Sequence, residues 1–181
     1  MKNSTEASSS ENLNPERKEH LKKVLTQFSN VMFMTVAPDG ALGIRPMAIL
    51  KCTDEGILWF IASTDSTKVE DITSTGNVFV TGQSGSSLFF AAKCKASIHV
   101  DRETRDKLWT ESLKVWFPNG KEDQSVCFIR VEVIEGEYWD TTGLQKVAYF
   151  MEAVKAYVTG KKAELSEVSQ HGITKLENSA I

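Results

Sequence analysis

The residues with the most chemical potential lie in one short run, residues 58–72, LWFIASTDSTKVEDI. An apolar, strand-like segment breaks there into a turn carrying Ser63, Thr64, Ser66, Thr67 and Lys68, then continues as a helix start. Hydroxyls, backbone N–H groups at a helix N-terminus and one lysine make a cradle for a phosphate, because each offers a donor and the helix end favours negative charge. The same letters also fit an ordinary capping box, in which Thr67 pairs with Glu70. A second basic residue, Arg45, stands between Ile44 and the pair Pro46-Met47 on an otherwise apolar strand. A charge in such a place is costly without a partner. Two readings of Arg45 are open: a cation held for an anionic ligand, or a rim arginine paired with a carboxylate such as Asp71. Lys68 has the parallel alternative of a solvated helix residue facing Asp65 or Asp71.

The surrounding pattern supplies the elements that must hold these groups. Leu21, Val24, Leu25 and Phe28 recur at helical spacing and give an amphipathic helix that opens at Asn14-Pro15. VMFMTVA and ALGIRPMAIL flank Pro38-Asp39-Gly40 and read as a hairpin. Asp54-Glu55-Gly56 turns into ILWFIA; NVFVTGQ and the long run LFFAAKCKASIHV flank Ser84-Gly85-Ser86. Asp101 resembles the cap of a helix carrying Leu108, Trp109 and Leu113, and VCFIRVEV through Tyr138-Trp139-Asp140 supplies the last strands. Leu144, Val147, Ala148, Met151, Val154 and Val158 share one face of a final helix that Gly160 ends. Six or seven strands joined by tight turns, with short helices inserted, favour a small antiparallel barrel over a parallel sheet.

With 181 residues, of which 41% are hydrophobic and 25% charged, the chain can bury a core as one domain with tails. Residues 1–14 are polar and expected to be disordered, residues 15–160 form the domain, and residues 161–181 read as a flexible tail. A net charge of −3 without a basic stripe argues against nucleic acid as a partner. Cys52, Cys94 and Cys127 form no C-x-x-C pair and read as reduced thiols. His20, His99 and His171 stand apart, so no metal site is expected. No Ser-His-Asp, Cys-His or paired-carboxylate arrangement is evident, and no catalytic residue is named. The N-terminus has no apolar signal region and no run is long enough for a membrane helix, which gives the expectation of a cytoplasmic protein without membrane contact.

In this order the motifs are familiar. Ile44-Arg45-Pro46-Met47, the run 58–72, Val100-Asp101-Arg102 with Trp109, Trp116-Phe117-Pro118-Asn119-Gly120 and Glu137-Tyr138-Trp139-Asp140 together resemble the pyridoxamine-phosphate-oxidase-like flavin-binding split barrels, most closely their bacterial general-stress-protein branch. The resemblance implies a mainly β fold, a six-stranded antiparallel split barrel with flanking helices. It also implies a homodimer holding flavin mononucleotide (FMN) at its interface, with FAD as the alternative flavin. Carried over by residue, the phosphate positions are Arg45, Ser66, Thr67 and Lys68; Ile61, Ala62 and Ser63 lie along the ribityl chain and ring edge. Trp116 is expected near the partner's cleft, with Trp139 behind it. The implied activity is a low-activity FMN-dependent oxidoreductase with a nicotinamide electron donor. The alternatives are a non-enzymatic flavin store or scaffold dimer and, less favoured, a haem or deazaflavin binder. Ala62 and Thr67 replace a threonine and an arginine of the oxidase, and the oxidase's basic C-terminal substrate motif has no counterpart. Oxidation of pyridoxamine phosphate itself is therefore not expected.

Overall fold

The structure, a computed structural model, describes residues 15–141, 155 and 170–176, without the side chains of Gln170 and His171. The expected tail 1–14 and the expected helix face from Leu144 to Val158 fall outside the described residues, Lys155 excepted. Helix α1 (Pro15–Leu25) leads into β1 (Asn30–Val36), β2 (Leu42–Ala48), the two-residue β3 (Lys51–Cys52) and β4 (Ile57–Ser63). Then follow α2 (Thr67–Thr75), β5 (Asn77–Ser84), β6 (Leu88–His99), α3 (Arg102–Leu108), a 3-10 turn (Glu111–Val115), β7 (Val126–Asp140) and β8 (Gln170–Lys175).

The strands form one antiparallel sheet in the order β2-β1-β5-β6-β7-β4-β3, with β8 added to β7. It is curled into a half-barrel, the mainly β architecture anticipated above, but with eight strands instead of six. One extra strand is the short β3. The other, β8, corrects the expectation of a flexible tail at residues 170–175. Glu135 to Asp140 of β7 pair there with Lys175 to Gln170, and Thr174 is fully buried while Leu176 is nearly so. Backbone pairing and the burial of these few positions offset an ordering cost that composition alone makes look prohibitive. The residues expected to form separate last strands are instead one fifteen-residue strand, β7. Its register against β6 shifts between Lys93 and Cys94.

Alternation builds the core. Val31, Phe33 and Thr35 of β1, Leu58, Phe60 and Ala62 of β4, and Val78 and Val80 of β5 all point inward. Leu21, Val24 and Leu25 of α1, with Phe28 just beyond it, bury the apolar stripe that the spacing predicts. Phe33 meets Phe60 edge-on at 5.1 Å, and Phe28 meets Phe90 at 4.7 Å. The helix expected after Asp101 is broken: α3 stops at Leu108, Trp109 is extended, and Leu113 is buried from the separate 3-10 turn. Among the described residues no helix is long and apolar enough to cross a membrane.

Candidate functional site

β4 delivers the chain to the hydroxyl-rich turn. Its inward positions Leu58, Phe60 and Ala62 fix the strand, and its last pair, Ser63 with Val126, brings the turn to the start of β7. Thr64 N–H donates to Ser125 O at 2.8 Å, tying the turn to the loop that precedes β7. Ser66 is the N-cap of α2, yet its hydroxyl donates to Ser63 O at 2.7 Å and makes no cap bond. The capping box is therefore not formed, because the helix begins at Thr67 itself, one residue earlier than a Thr67 cap requires. Thr67 and Lys68 occupy the first helical positions, where backbone N–H groups have no carbonyl partner within the helix. Val69 and Ile72 bury the inner face of α2. Gly76 ends it in the left-handed conformation, φ 64°, with its N–H on Ile72 O at 2.8 Å.

Arg45 converges on the same corner from β2. Its Nη1 donates to Thr35 Oγ1 at 3.0 Å, and Thr35 Oγ1 donates onward to Asp71 Oδ2 of α2 at 2.6 Å. Thr35 is fully buried and Asp71 is 5% exposed. Asp71 is thus linked to Arg45 through a hydroxyl, not as the direct ion pair considered from sequence. Among the described residues no carboxylate lies within ion-pair distance of Arg45 or Lys68. Lys68 is half-buried, and its ammonium is held below the ordinary lysine range by burial first and by the charge of Arg45 second; Asp65 only partly counters this. The two cations therefore share one neighbourhood and repel one another. Behind them the Cys127 thiol is pushed up to about 11 by burial, a rise that Lys68 and Arg105 oppose. It stays protonated and packs against Ala62 O at 3.4 Å.

Donors without acceptors, cations without carboxylates and an uncapped helix start are the surroundings a phosphate dianion requires. The donor set fits the phosphate end of a flavin nucleotide. The other expected positions divide. Ile61 and Ser63 face away from the core, whereas the Ala62 side chain is buried in it. Ser63 also donates a short hydrogen bond to Asp65. Trp116 is 74% exposed at the end of the 3-10 turn, on the loop whose last residue meets Thr64. Trp139 is not brought to this corner within one chain. It lies thirteen positions beyond Val126 on β7, roughly 40 Å along an extended strand.

Sequence reasoning missed three features. Thr35 is legible only as the one polar residue in VMFMTVA. Arg105 of α3 is 8% exposed and donates to the carbonyls of Lys121, Asp123 and Val126 at 2.7, 2.8 and 3.1 Å, clamping the loop that ends at the turn. A Ser-His-Asp juxtaposition also exists after all, at alternate positions along β6 and its end. Ser97 Oγ lies 3.0 Å from His99 Nε2, and His99 Nδ1 lies 3.6 Å from Asp101 Oδ2. The second distance exceeds a hydrogen bond. Asp101 instead accepts from Thr104 N–H and Oγ1 at 2.8 and 2.9 Å to cap α3, bonds that hold its carboxyl below the usual range. The imidazole thus has no fixed orienting group, and the trio is not a nucleophilic triad. His171 lies on β8 opposite Trp139.

Residues 16–164 match the family model described as pyridoxamine 5'-phosphate oxidase like. No curated protein matches the chain. Among solved structures, a protein assigned as general stress protein 26 of a Jannaschia species is 19% identical with a TM-score of 0.70, covering 90% of this chain and 99% of that one. The general stress FMN/FAD binding protein of Xanthomonas citri is 24% identical with a TM-score of 0.61, covering 72% and 92%. A pyridoxamine 5'-phosphate oxidase-related, FMN binding protein of Nostoc punctiforme is 15% identical with a TM-score of 0.53, covering 72% and 86%. At these identities the likeness establishes the split-barrel fold.

Proposed function

We propose, for a chain that belongs to the pyridoxamine 5'-phosphate oxidase-like family, that it binds a flavin nucleotide, FMN in preference to FAD, as a general-stress-type flavoprotein. The observation that carries this reading is the corner where Arg45 lies near the half-buried Lys68 with, among the described residues, no carboxylate in ion-pair range of either. Arg45, Lys68 and the Ser66-Thr67 helix start would hold the phosphate; Ile61, Ser63 and the backbone of Ala62 would run along the ribityl chain. The flavin ring supplies redox chemistry when bound, and the protein orients it and shields it from water. The two relatives named above as FMN or FMN/FAD binders support the choice of flavin.

The reading includes a homodimer. Met32, Leu42 and Ile44 are exposed large hydrophobics, and the β1–β2 register sets Met32 opposite Pro46, Met34 opposite Ile44 and Val36 opposite Leu42. An apolar sheet face of this kind calls for a cover, and a second copy would bring its Trp116 and Trp139 towards the cleft. The free thiols Cys52, Cys94 and Cys127 suit a cytoplasmic setting.

The test is the visible spectrum of the purified protein before and after FMN is added. Stoichiometric binding with quenched flavin fluorescence is the expected outcome; a protein that leaves FMN free in solution refutes the reading. Anaerobic NADH or NADPH then separates the two forms of the function. Rapid bleaching with repeated turnover on an acceptor marks an oxidoreductase, and slow or absent bleaching marks a store.

A further inference from the structure

Arg45 sits in a slot whose walls are specific. In the antiparallel register Gly43 of β2 lies directly opposite Thr35 of β1, and Arg45 lies opposite Phe33 on the same inward face. A Cβ at position 43 would collide with Arg45 Nη2 and come within 2.9 Å of Thr35 Oγ1. The guanidinium therefore occupies the volume that the missing side chain leaves. Thr35 Oγ1 accepts from Arg45 at 3.0 Å and donates to the buried Asp71 at 2.6 Å. One guanidinium N–H is engaged by this bond, and a guanidinium has others to offer.

We propose that Gly43, Thr35 and Asp71 are a positioning set that holds Arg45 for an anionic phosphate and so sets the preference for phosphorylated over unphosphorylated flavin. The inference rests on the flavin-nucleotide reading above. The interposed hydroxyl is the critical part. A direct Arg45–Asp71 ion pair would occupy the fork that recognises phosphate bidentately. With Thr35 between them, Asp71 is tied to Arg45 only through the hydroxyl, which leaves the remaining guanidinium donors unengaged. The fixed geometry also removes rotamer entropy that a free arginine would lose on binding.

The experiment measures FMN and riboflavin dissociation constants by flavin fluorescence for the full-length protein and for Thr35→Val, Thr35→Ser, Gly43→Ala and Lys68→Ala, with thermal unfolding of each. The ratio of riboflavin to FMN dissociation constants should fall about tenfold or more in Thr35→Val and Gly43→Ala, with riboflavin affinity unchanged. Thr35→Ser, which keeps the hydroxyl, should restore it; a purely structural role would affect both flavins alike. If Thr35→Val fails to fold, Gly43→Ala on the half-exposed edge strand decides. A ratio unchanged in Thr35→Val or Gly43→Ala but collapsed in Lys68→Ala overturns the positioning set while leaving the phosphate site intact. A ratio unchanged in Lys68→Ala overturns the phosphate site itself, and the positioning set with it.

Discussion

Two cationic corners of the same half-barrel are built on opposite terms. Arg105 is almost wholly buried and aims its guanidinium at three backbone carbonyls, those of Lys121, Asp123 and Val126. Arg45 and Lys68 lie near one another, with one hydrogen bond from Arg45 to Thr35 and, among the described residues, no carboxylate in ion-pair range of either. A buried charge is tolerated where its donors are satisfied, and Arg105 meets that condition inside the fold. The second corner leaves it to be met from outside. The contrast separates a structural arginine from one proposed to bind a ligand without appeal to likeness: what matters is where the donors end.

The contrast breaks most readily at Arg105. Replacing it with alanine removes three hydrogen bonds from an almost wholly buried guanidinium and should cost about 2–4 kcal/mol of folding stability by denaturant unfolding. Lysine, lacking the planar fork, should not restore it. A loss of a few tenths would make the two corners alike. At the other corner Lys68→Ala should weaken FMN binding by about 1.5–3 kcal/mol and leave riboflavin affinity nearly unchanged. Its folding stability should stay level or rise slightly, since one of two repelling cations is gone.

The pH dependence sharpens the same point. Burial and Arg45 lower the Lys68 pKa in the folded state. Below both the folded and unfolded values the proton is held in each state; as pH rises through the lowered folded value, the folded chain releases a proton that the unfolded chain keeps. The unfolded state then binds more protons, so the ligand-free protein gains stability from this group towards alkaline pH. FMN affinity should fall across that same window as the ammonium is lost, and both trends should flatten in Lys68→Ala. The smallest effect on the monomer is expected at Trp116. With 74% of it exposed, Trp116→Ala should change monomer stability by no more than about 0.5 kcal/mol, while shifting the proposed dimer towards monomer on sizing chromatography.

The sequence makes the barrel legible because alternation over β1, β4, β5 and β6 is regular and the turns carry Gly40, Gly56 and Gly85 where left-handed backbone is needed. It also points to Arg45 and Lys68, one a charge in an apolar strand and the other beside a run of hydroxyls. What it hides is tertiary. The Thr35–Asp71 link joins residues thirty-six positions apart, and the Arg105 clamp is formed by carbonyls, which no side-chain pattern reveals. β8 escapes notice because a polar segment becomes a strand only when the second half of β7 offers an edge. The Ala62 side chain points into the core while Ile61 and Ser63 do not, because a one-residue step along a strand exchanges core for surface. Ser97, His99 and Asp101 meet through strand periodicity, and the distances alone disqualify them.

Phosphorus NMR of bound FMN, titrated across pH, tests the central claim most directly. Free FMN has its second phosphate ionisation near pH 6, within roughly the ordinary range for a monoester. Between Arg45 and Lys68 that ionisation should be driven clearly lower, with the dianion persisting on the acid side, and Lys68→Ala should move it back. A bound phosphate that titrates like free FMN, with or without Lys68, would place the anion elsewhere and contradict the account.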